Sequence, residues 1–348
     1  MRPERSFDMA QNVFGVDIGT SSIKIYNKNL DTVLNEKNVI AIQNKNSILA
    51  VGNEAYDMYE KAPDSIFVSY PVKFGVIADI KNMQSLFEKL VNKSRTAKYS
   101  YQNADFCFAV PTDITEVEKR AFYELADSSK VHAKKISVVE KPVADGVGVG
   151  IEVNNPKGNM IVNFGADTTE ISVLSLGGIV LSHLVQLGGN RLDENVCNLV
   201  RKQYNLVIGM KTAEKLKKKL GNAIESTEET MKVYGRDLVT GLPIIKEISA
   251  ETVYQATHDV LTNIVSDIKM TLEHTPPELA ADIIDTGIFL TGGSALFRNF
   301  EKLVHKETDL KINLPDKPDE CVVRGIAKIV TEAEYGELSY VPREKIIN

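Results

Sequence analysis

The sequence predicts an α/β protein made of two related halves. Three observations carry this. Short apolar runs with strand character alternate with amphipathic helical stretches along the whole chain. A unit of strand, Asp or Asn, Gly/hydroxyl turn and second strand occurs twice, with Asp17 and Asn163 at corresponding places 146 positions apart. The 348 residues are 43% hydrophobic and 25% charged, which supplies apolar material for more than one core.

Taken in order, Val13-Phe14-Gly15-Val16 reads as a buried strand running into Asp17, with the turn Gly19-Thr20-Ser21-Ser22 after it. Ile23-Lys24-Ile25-Tyr26 alternates as a half-buried strand. A helix is expected from Ile114 to Leu125, because Thr115 and Glu118 have the spacing of a capping box. Met160-Ile161-Val162, the turn from Asn163 to Thr169, and Ile171 to Leu174 repeat the opening device. Leu192, Val196, Leu199, Val200 and Tyr204 mark one helical face. A basic helix follows from Thr212 to Leu220, then a long one from Ala250 to about Thr271, stopped by Pro276-Pro277. Gly287 to Leu290 is a strand leading into Thr291-Gly292-Gly293-Ser294, and Ala295 is expected to open a helix.

Composition excludes several functions. The net charge of −6 argues against a nucleic-acid partner held by bulk positive charge. No apolar run is long enough to span a bilayer, and the charged start lacks the apolar region of a secretory signal. Cys107, Cys197 and Cys321 are odd in number and far apart, which suits a reducing compartment. No Cys/His spacing suggests zinc.

Three glycine turns follow apolar strands: Asp17 to Ser22, Asn163 to Thr169, and Leu290 to Ser294. Glycine lets backbone N–H groups approach an anion closely, and Ser and Thr hydroxyls add donors. One such turn is ordinary hairpin chemistry; two matched turns and a third Gly-Gly turn point to phosphate. No Walker-type loop occurs, nor a Gly-x-Gly-x-x-Gly after the first strand. Asp17 in a phosphate turn would repel its ligand unless a cation lay between them, which reads as a Mg²⁺ ligand through water. The alternative is a turn aspartate bonding its own backbone. Lys24 either faces solvent or reaches back to phosphate.

At this point the chain resembles the bacterial actins of the MreB family over nearly its whole length. The matching segments are Gly15 to Thr20, Pro111 with Ile114 to Ala121, Gly165 with Thr168-Thr169-Glu170, and Ser175 to Val180. They continue with Gly235 to Pro243, Thr275 to Asp285, and Leu290 to Gly293. The resemblance implies the actin/Hsp70/sugar-kinase-like α/β fold, two-lobed, with a nucleotide cleft between duplicated lobes. It implies a first lobe of 1–147 with 330–348, carrying a small subdomain at about 33–110. The second lobe would be 148–329, with a subdomain at about 190–250. ATP and Mg²⁺ are the implied cofactors. Thr20, Ser21, Ser22 and Lys24 would form the first phosphate loop, and Gly165, Ala166, Asp167 and Thr168 the second. Glu214 and Lys217 would lie near ribose and adenine, and Gly292, Gly293, Ser294, Ala295 and Leu296 near adenosine. Asp17 and Asn163 would hold the metal. Without the family, Glu214 and Lys217 read as an exposed helix pair at i,i+3 spacing.

The departures from the family pattern centre on one place. The family reads Glu-Glu-Pro where this chain has Glu140-Lys141-Pro142. The second acid orients the attacking water, and a lysine ammonium only donates. Glu140 is expected to face the other way from its neighbour. Asn163 replaces the usual Asp and Asp167 a usual Gly, so Asp167 paired with Lys141 would be a local charge swap. Lys141, at the position of the missing acid, and Thr168 are the catalytic positions implied, with weak ATP hydrolysis as the expected result.

The resemblance also implies a cytoplasmic filament of copies of this chain, in paired protofilaments, serving cell shape or motility. An inner-membrane surface is a further expected partner through 93–101, which is basic with Tyr99 and Tyr101; a solvated loop is the other reading. Nucleic acid is not expected. The alternatives are a nucleotide-binding scaffold that does not polymerise and a sugar- or acetate-type kinase of the same fold.

Overall fold

The hairpin of β1 (Val13–Ile18) and β2 (Ser22–Asn27) is extended by β3 (Thr32–Lys37) into an antiparallel meander. The computed structural model describes residues 12–44, 47–94, 103–127 and 130–341. β4 (Ile40–Gln43), β5 (Ser47–Val51) and β6 (Ile66–Ser69) make a small sheet, order β5-β4-β6, beside α1 (Asn53–Met58). Its own core is Val39, Ala41, Ala50 and Ala55. β7 (Val72–Lys73) and β8 (Val76–Ile77) pair next, and Asp79 caps α2 (Ile80–Lys93) by accepting from the Asn82 N–H.

β9 (Asp105–Val110) and β10 (Lys135–Glu140) then add in parallel, giving the order β10-β9-β1-β2-β3. Between them lies α3 (Glu116–Asp127), opened by the expected capping box: the Glu118 N–H donates to Thr115 Oγ1, and the Thr115 N–H donates to Glu118 Oε2. α4 (Lys141–Val149) starts immediately after the last residue of β10, with Pro142 in its first turn. The core under this sheet is aromatic: Phe14 stacks on Phe106, and Phe87 contacts Phe106 and Phe108.

The second unit repeats this plan. β11 (Asn159–Phe164), β12 (Thr169–Ser175) and β13 (Gly178–Val185) form the antiparallel meander. α5 (Gly189–Tyr204), β14 (Leu206–Val207), α6 (Met210–Leu220), β15 (Thr230–Asp237) and β16 (Pro243–Ser249) follow. They enclose a separate core around Val196, Val200, Leu216, Val233 and Ile248. α7 (Ala250–His274) is capped by Ser249, and α8 (Pro277–Thr286) opens on Pro277, so the second proline starts a helix as well as following one. β17 (Ile288–Thr291), α9 (Phe300–Thr308) and β18 (Ile312–Asn313) complete the sheet order β13-β12-β11-β17-β18. Both large sheets therefore have a three-stranded meander with two parallel strands added to its first member.

Compact units divide the chain as 1–148 with 322–348, and 149–321. The return to the first unit comes earlier than residue 330, because α10 (Cys321–Thr331) belongs to it. A methyl on Gly325 of α10 would fall 1.6 Å from the Ala144 carbonyl oxygen, so this helix lies directly on α4. The expected helix at Ala295 is instead a short 3₁₀ turn over Gly293–Leu296. α9 waits until Phe300, because Asn299 adopts a left-handed conformation at φ 61°.

Candidate phosphate turns and the residues around them

The first turn is closed by the Gly19 N–H donating to the Ser22 carbonyl at 2.9 Å. The second is closed identically, Gly165 N–H to Thr168 carbonyl at 2.8 Å. Each leaves a two-residue tip, Thr20-Ser21 or Ala166-Asp167, between paired strands. The internal repeat seen in the sequence is thus a repeat of hydrogen bonding. The chemistry packed around each turn differs.

Lysines gather around the first turn. Asp17 of β1 lies directly opposite Lys24 of β2, and Lys24 Nζ is 4.0 Å from Asp17 Oδ2. Lys24 is 5% exposed and also donates to Ser22 Oγ at 3.1 Å, which resolves its direction: it turns into the turn, away from solvent. Lys37 Nζ donates to Ser21 Oγ at 3.2 Å and sits over the Tyr56 ring. Thr20 Oγ1 accepts from the Gly75 N–H at 3.3 Å, and Asn38 Nδ2 donates to the Gly19 carbonyl at 2.8 Å.

Lys141 supplies the third ammonium. Its Nζ is 3.1 Å from Asp17 Oδ1, and the two side chains are 13% and 8% exposed. Asp17 Oδ1 has no aligned hydrogen bond, so this contact is an ion pair held by charge. Glu140, one residue earlier, accepts from the Tyr340 hydroxyl at 2.5 Å. Tyr340 itself adds to the edge of β10 by two backbone bonds with Val138, at 2.8 and 2.9 Å. Burial and the Glu140 carboxylate push the Tyr340 hydroxyl pKa up. In the second unit, Asp167 Oδ1 accepts from Asn190 Nδ2 at 2.7 Å.

The second turn is held by backbone and small groups. The start of α5 gives two N–H groups to it, Gly189 to the Gly165 carbonyl at 3.1 Å and Asn190 to the Ala166 carbonyl at 2.7 Å. Ser294 Oγ donates to the Gly165 carbonyl at 2.7 Å. The left-handed residue of the third turn is Gly292, φ 82°, so Ser294 in place of a glycine costs no backbone strain. Lys217 Nζ donates to the Gly189 carbonyl at 2.9 Å and to Asp193 Oδ2 at 2.8 Å. Gly165, Lys217 and Ser294, far apart in sequence, thus meet at the N-terminus of α5.

Glu214 pairs with Lys218 at 2.6 Å, an i,i+4 contact on the more exposed face of α6. Thr168 and Asn163 are half-buried beside the second turn, and Ala295 is buried while Leu296 is exposed. Gly293 lies against Asp319. Sequence reasoning missed Lys37, Asp193, Asn190 and Tyr340. Asp193 carried a signal, since it shares the inward face of α5 with Leu192 and Val196. Burial pushes its carboxyl up to about 6, against the opposing pull of the Lys217 ammonium. Of the segment 93–101, only Lys93 and Ser94 lie within the described residues, and Lys93 is ion-paired to Glu36 at 2.5 Å. No helix among the described residues is long and apolar enough to cross a membrane.

The residues at Asp17 do not fit Mg²⁺. The ion requires near-octahedral oxygen ligands, and this carboxylate already faces two ammonium groups. Its counterpart in the second turn is the neutral amide of Asn163. Among the described residues, no group of three or more His, Cys, Asp or Glu side chains is placed to hold a metal.

Duplicated sheets of this topology, each with a closed glycine turn, belong to the actin-like two-lobed α/β fold. The chain belongs to the MreB/Mbl family, whose sequence profile, described as MreB/Mbl protein, matches residues 11–337. It is 37% identical over 313 residues to the cell shape-determining protein Mbl of Bacillus cereus, covering 89% of this chain and 93% of that one. It is 36% identical over 326 residues to the cell shape-determining protein MreB of Escherichia coli, covering 92% and 93%. The crystal structure of MreB5 of Spiroplasma citri bound to AMPPNP superposes with a TM-score of 0.88 at 32% identity, covering 94% of this chain and 98% of that one. The MamK double helical filament, at 21% identity and TM-score 0.77 over 92% and 99% of the two chains, shares the fold.

Proposed function

We propose that this protein is a cytoplasmic, ATP-binding filament protein of the cell-shape or motility cytoskeleton, and that it hydrolyses ATP slowly. Family membership supports the first part, as does the nucleotide carried by its Spiroplasma citri relative, solved with AMPPNP and with ADP. The turns closed by Gly19 and Gly165 are the groups offered to phosphate, with Lys24, Ser21 and Ser22 beside the first. Ala166, Asp167 and Thr168 line the second. Lys217 and Gly292 to Leu296 are the groups offered to the nucleoside. Filaments would be paired protofilaments of this chain, with 93–101 as the segment offered to an anionic membrane.

The slow hydrolysis rests on one observation: Lys141 stands where a water-orienting acid is expected, and its ammonium is committed to Asp17 at 3.1 Å. An ammonium cannot accept a proton from water. Glu140 is held by the Tyr340 hydroxyl. Loss of a positioned acid–base group costs about 10²–10⁴-fold in rate.

Phosphate release and pelleting, measured in parallel with ATP, ADP and AMPPNP, test both parts. Filaments pelleting with ATP, slow release, and faster release from Lys141→Glu are expected. Protein that stays in the supernatant under every nucleotide would remove the filament reading. Rapid release by the unaltered protein would remove the slow-hydrolysis reading.

A further inference from the structure

Three ammonium groups approach the first turn. Lys24, Lys37 and Lys141 surround Asp17, Ser21 and Ser22, and Asp17 is the single carboxylate that these contacts include. We propose that Lys141 is a tethered counter-cation that takes the place of a divalent metal at Asp17, so that this turn receives a nucleoside triphosphate as the free anion. This rests on the nucleotide-binding reading above and concerns how that ligand is held.

A carboxylate beside a phosphate turn repels its ligand unless a cation intervenes. In this chain the cation is covalently part of the protein. Lys141 is anchored at the β10–α4 junction, and its side chain is only 13% exposed. Lys24 is fixed from the facing strand by the register of β1 and β2. Both ammonium groups approach the same carboxylate, one toward each oxygen. A divalent ion entering there would meet two like charges at short range and would have to displace Lys141 from Asp17 to gain a ligand. The three lysines and one aspartate have a formal charge of +2, which attracts the more negative metal-free polyphosphate more strongly than its less negative metal complex. Ser21 and Ser22 accept hydrogen bonds from Lys37 and Lys24, holding these ammoniums at the turn tip.

Fluorescent-ATP binding to the full chain, in Mg²⁺ and in excess EDTA, tests this. The dissociation constant of the unaltered protein should change by less than about threefold on chelation. Lys141→Glu should bind at least about tenfold more weakly in EDTA than in Mg²⁺. Lys141→Met, which keeps the apolar stem and adds no acid, should lose affinity in EDTA as well. A readout without nucleotide accompanies this: Mg²⁺ alone should raise the melting temperature of Lys141→Glu and leave the unaltered protein unmoved. About tenfold or greater loss of binding by the unaltered protein on chelation would overturn the counter-cation and leave nucleotide binding standing. Absence of binding in both buffers would overturn the nucleotide reading and this inference with it.

Discussion

Tyr340 donates its hydroxyl to Glu140 at 2.5 Å, while Lys141, the next residue, is ion-paired to Asp17 at 3.1 Å. The two neighbours at the end of β10 are therefore spoken for by different surroundings. One is tied to Tyr340, bridged to the edge of β10, the other to the candidate phosphate turn. If Glu140 is no reserve acid for water, releasing it from that bond should change little in the reaction. Tyr340→Phe should leave phosphate release within about twofold of the unaltered protein while costing about 1 kcal/mol of stability. Chemical denaturation and a phosphate-release assay on one preparation check both halves, and faster release from the variant would show Glu140 to be available.

Asp193 gives a pH signature. Its folded pKa, about 6, lies above the ordinary carboxylate value, so the folded state holds the proton more tightly than the unfolded chain. Its contribution to stability is therefore fully present below the unfolded pKa and is lost as pH rises through about 6. The slope is about 1.4 kcal/mol per pH unit between those limits. Asp193→Asn removes this term, so its stability relative to the unaltered protein should rise between about pH 4 and pH 6 and then level. Paired urea titrations across that range decide it; a constant difference would mean that Lys217 fully offsets the burial.

The third glycine turn should tolerate loss of a hydrogen bond better than gain of a methyl. Ser294→Ala removes the Oγ contact to the Gly165 carbonyl, worth about 1 kcal/mol. Gly292→Ala forces a side chain into φ 82° and puts Cβ 2.4 Å from the Phe164 carbonyl oxygen. Strain of this kind costs about 1–3 kcal/mol before the clash is counted. The alanine at 292 is expected to be the more damaging of the two in equilibrium unfolding, and the reverse order would show that Ser294 organises the turn.

The fold was legible because its signals are local. Short apolar and alternating runs named the first two strands of each meander, the Thr115/Glu118 spacing named a helix start, and the repeated turn announced the duplication. The candidate site was legible only in part. Lys24, Lys217 and Ser294 were recognisable by position, but their partners were not. Lys37 reaches Ser21 only because β3 lies beside β2 in the meander, and Tyr340 finds Glu140 across 200 residues of chain. The 3₁₀ turn at Ala295 was misread as a helix because the left-handed Asn299, which delays α9, leaves no pattern in apolar spacing.

Lys141 occupies the first position of α4, where the helix dipole presents partial positive charge and a lysine is disfavoured on its own. Asp17 is what makes that lysine acceptable. The two positions have become mutually dependent, so their history and future are constrained together. Replacing Asp17 by alanine would remove the carboxylate beside this ammonium at a positive helix end, so its effect on folding must be measured beside its effect on binding. Returning Lys141 alone to an acid would set two carboxylates side by side. Such a pair calls for a cation between them, so a single change at 141 would trade the tethered ammonium for a dependence on free metal.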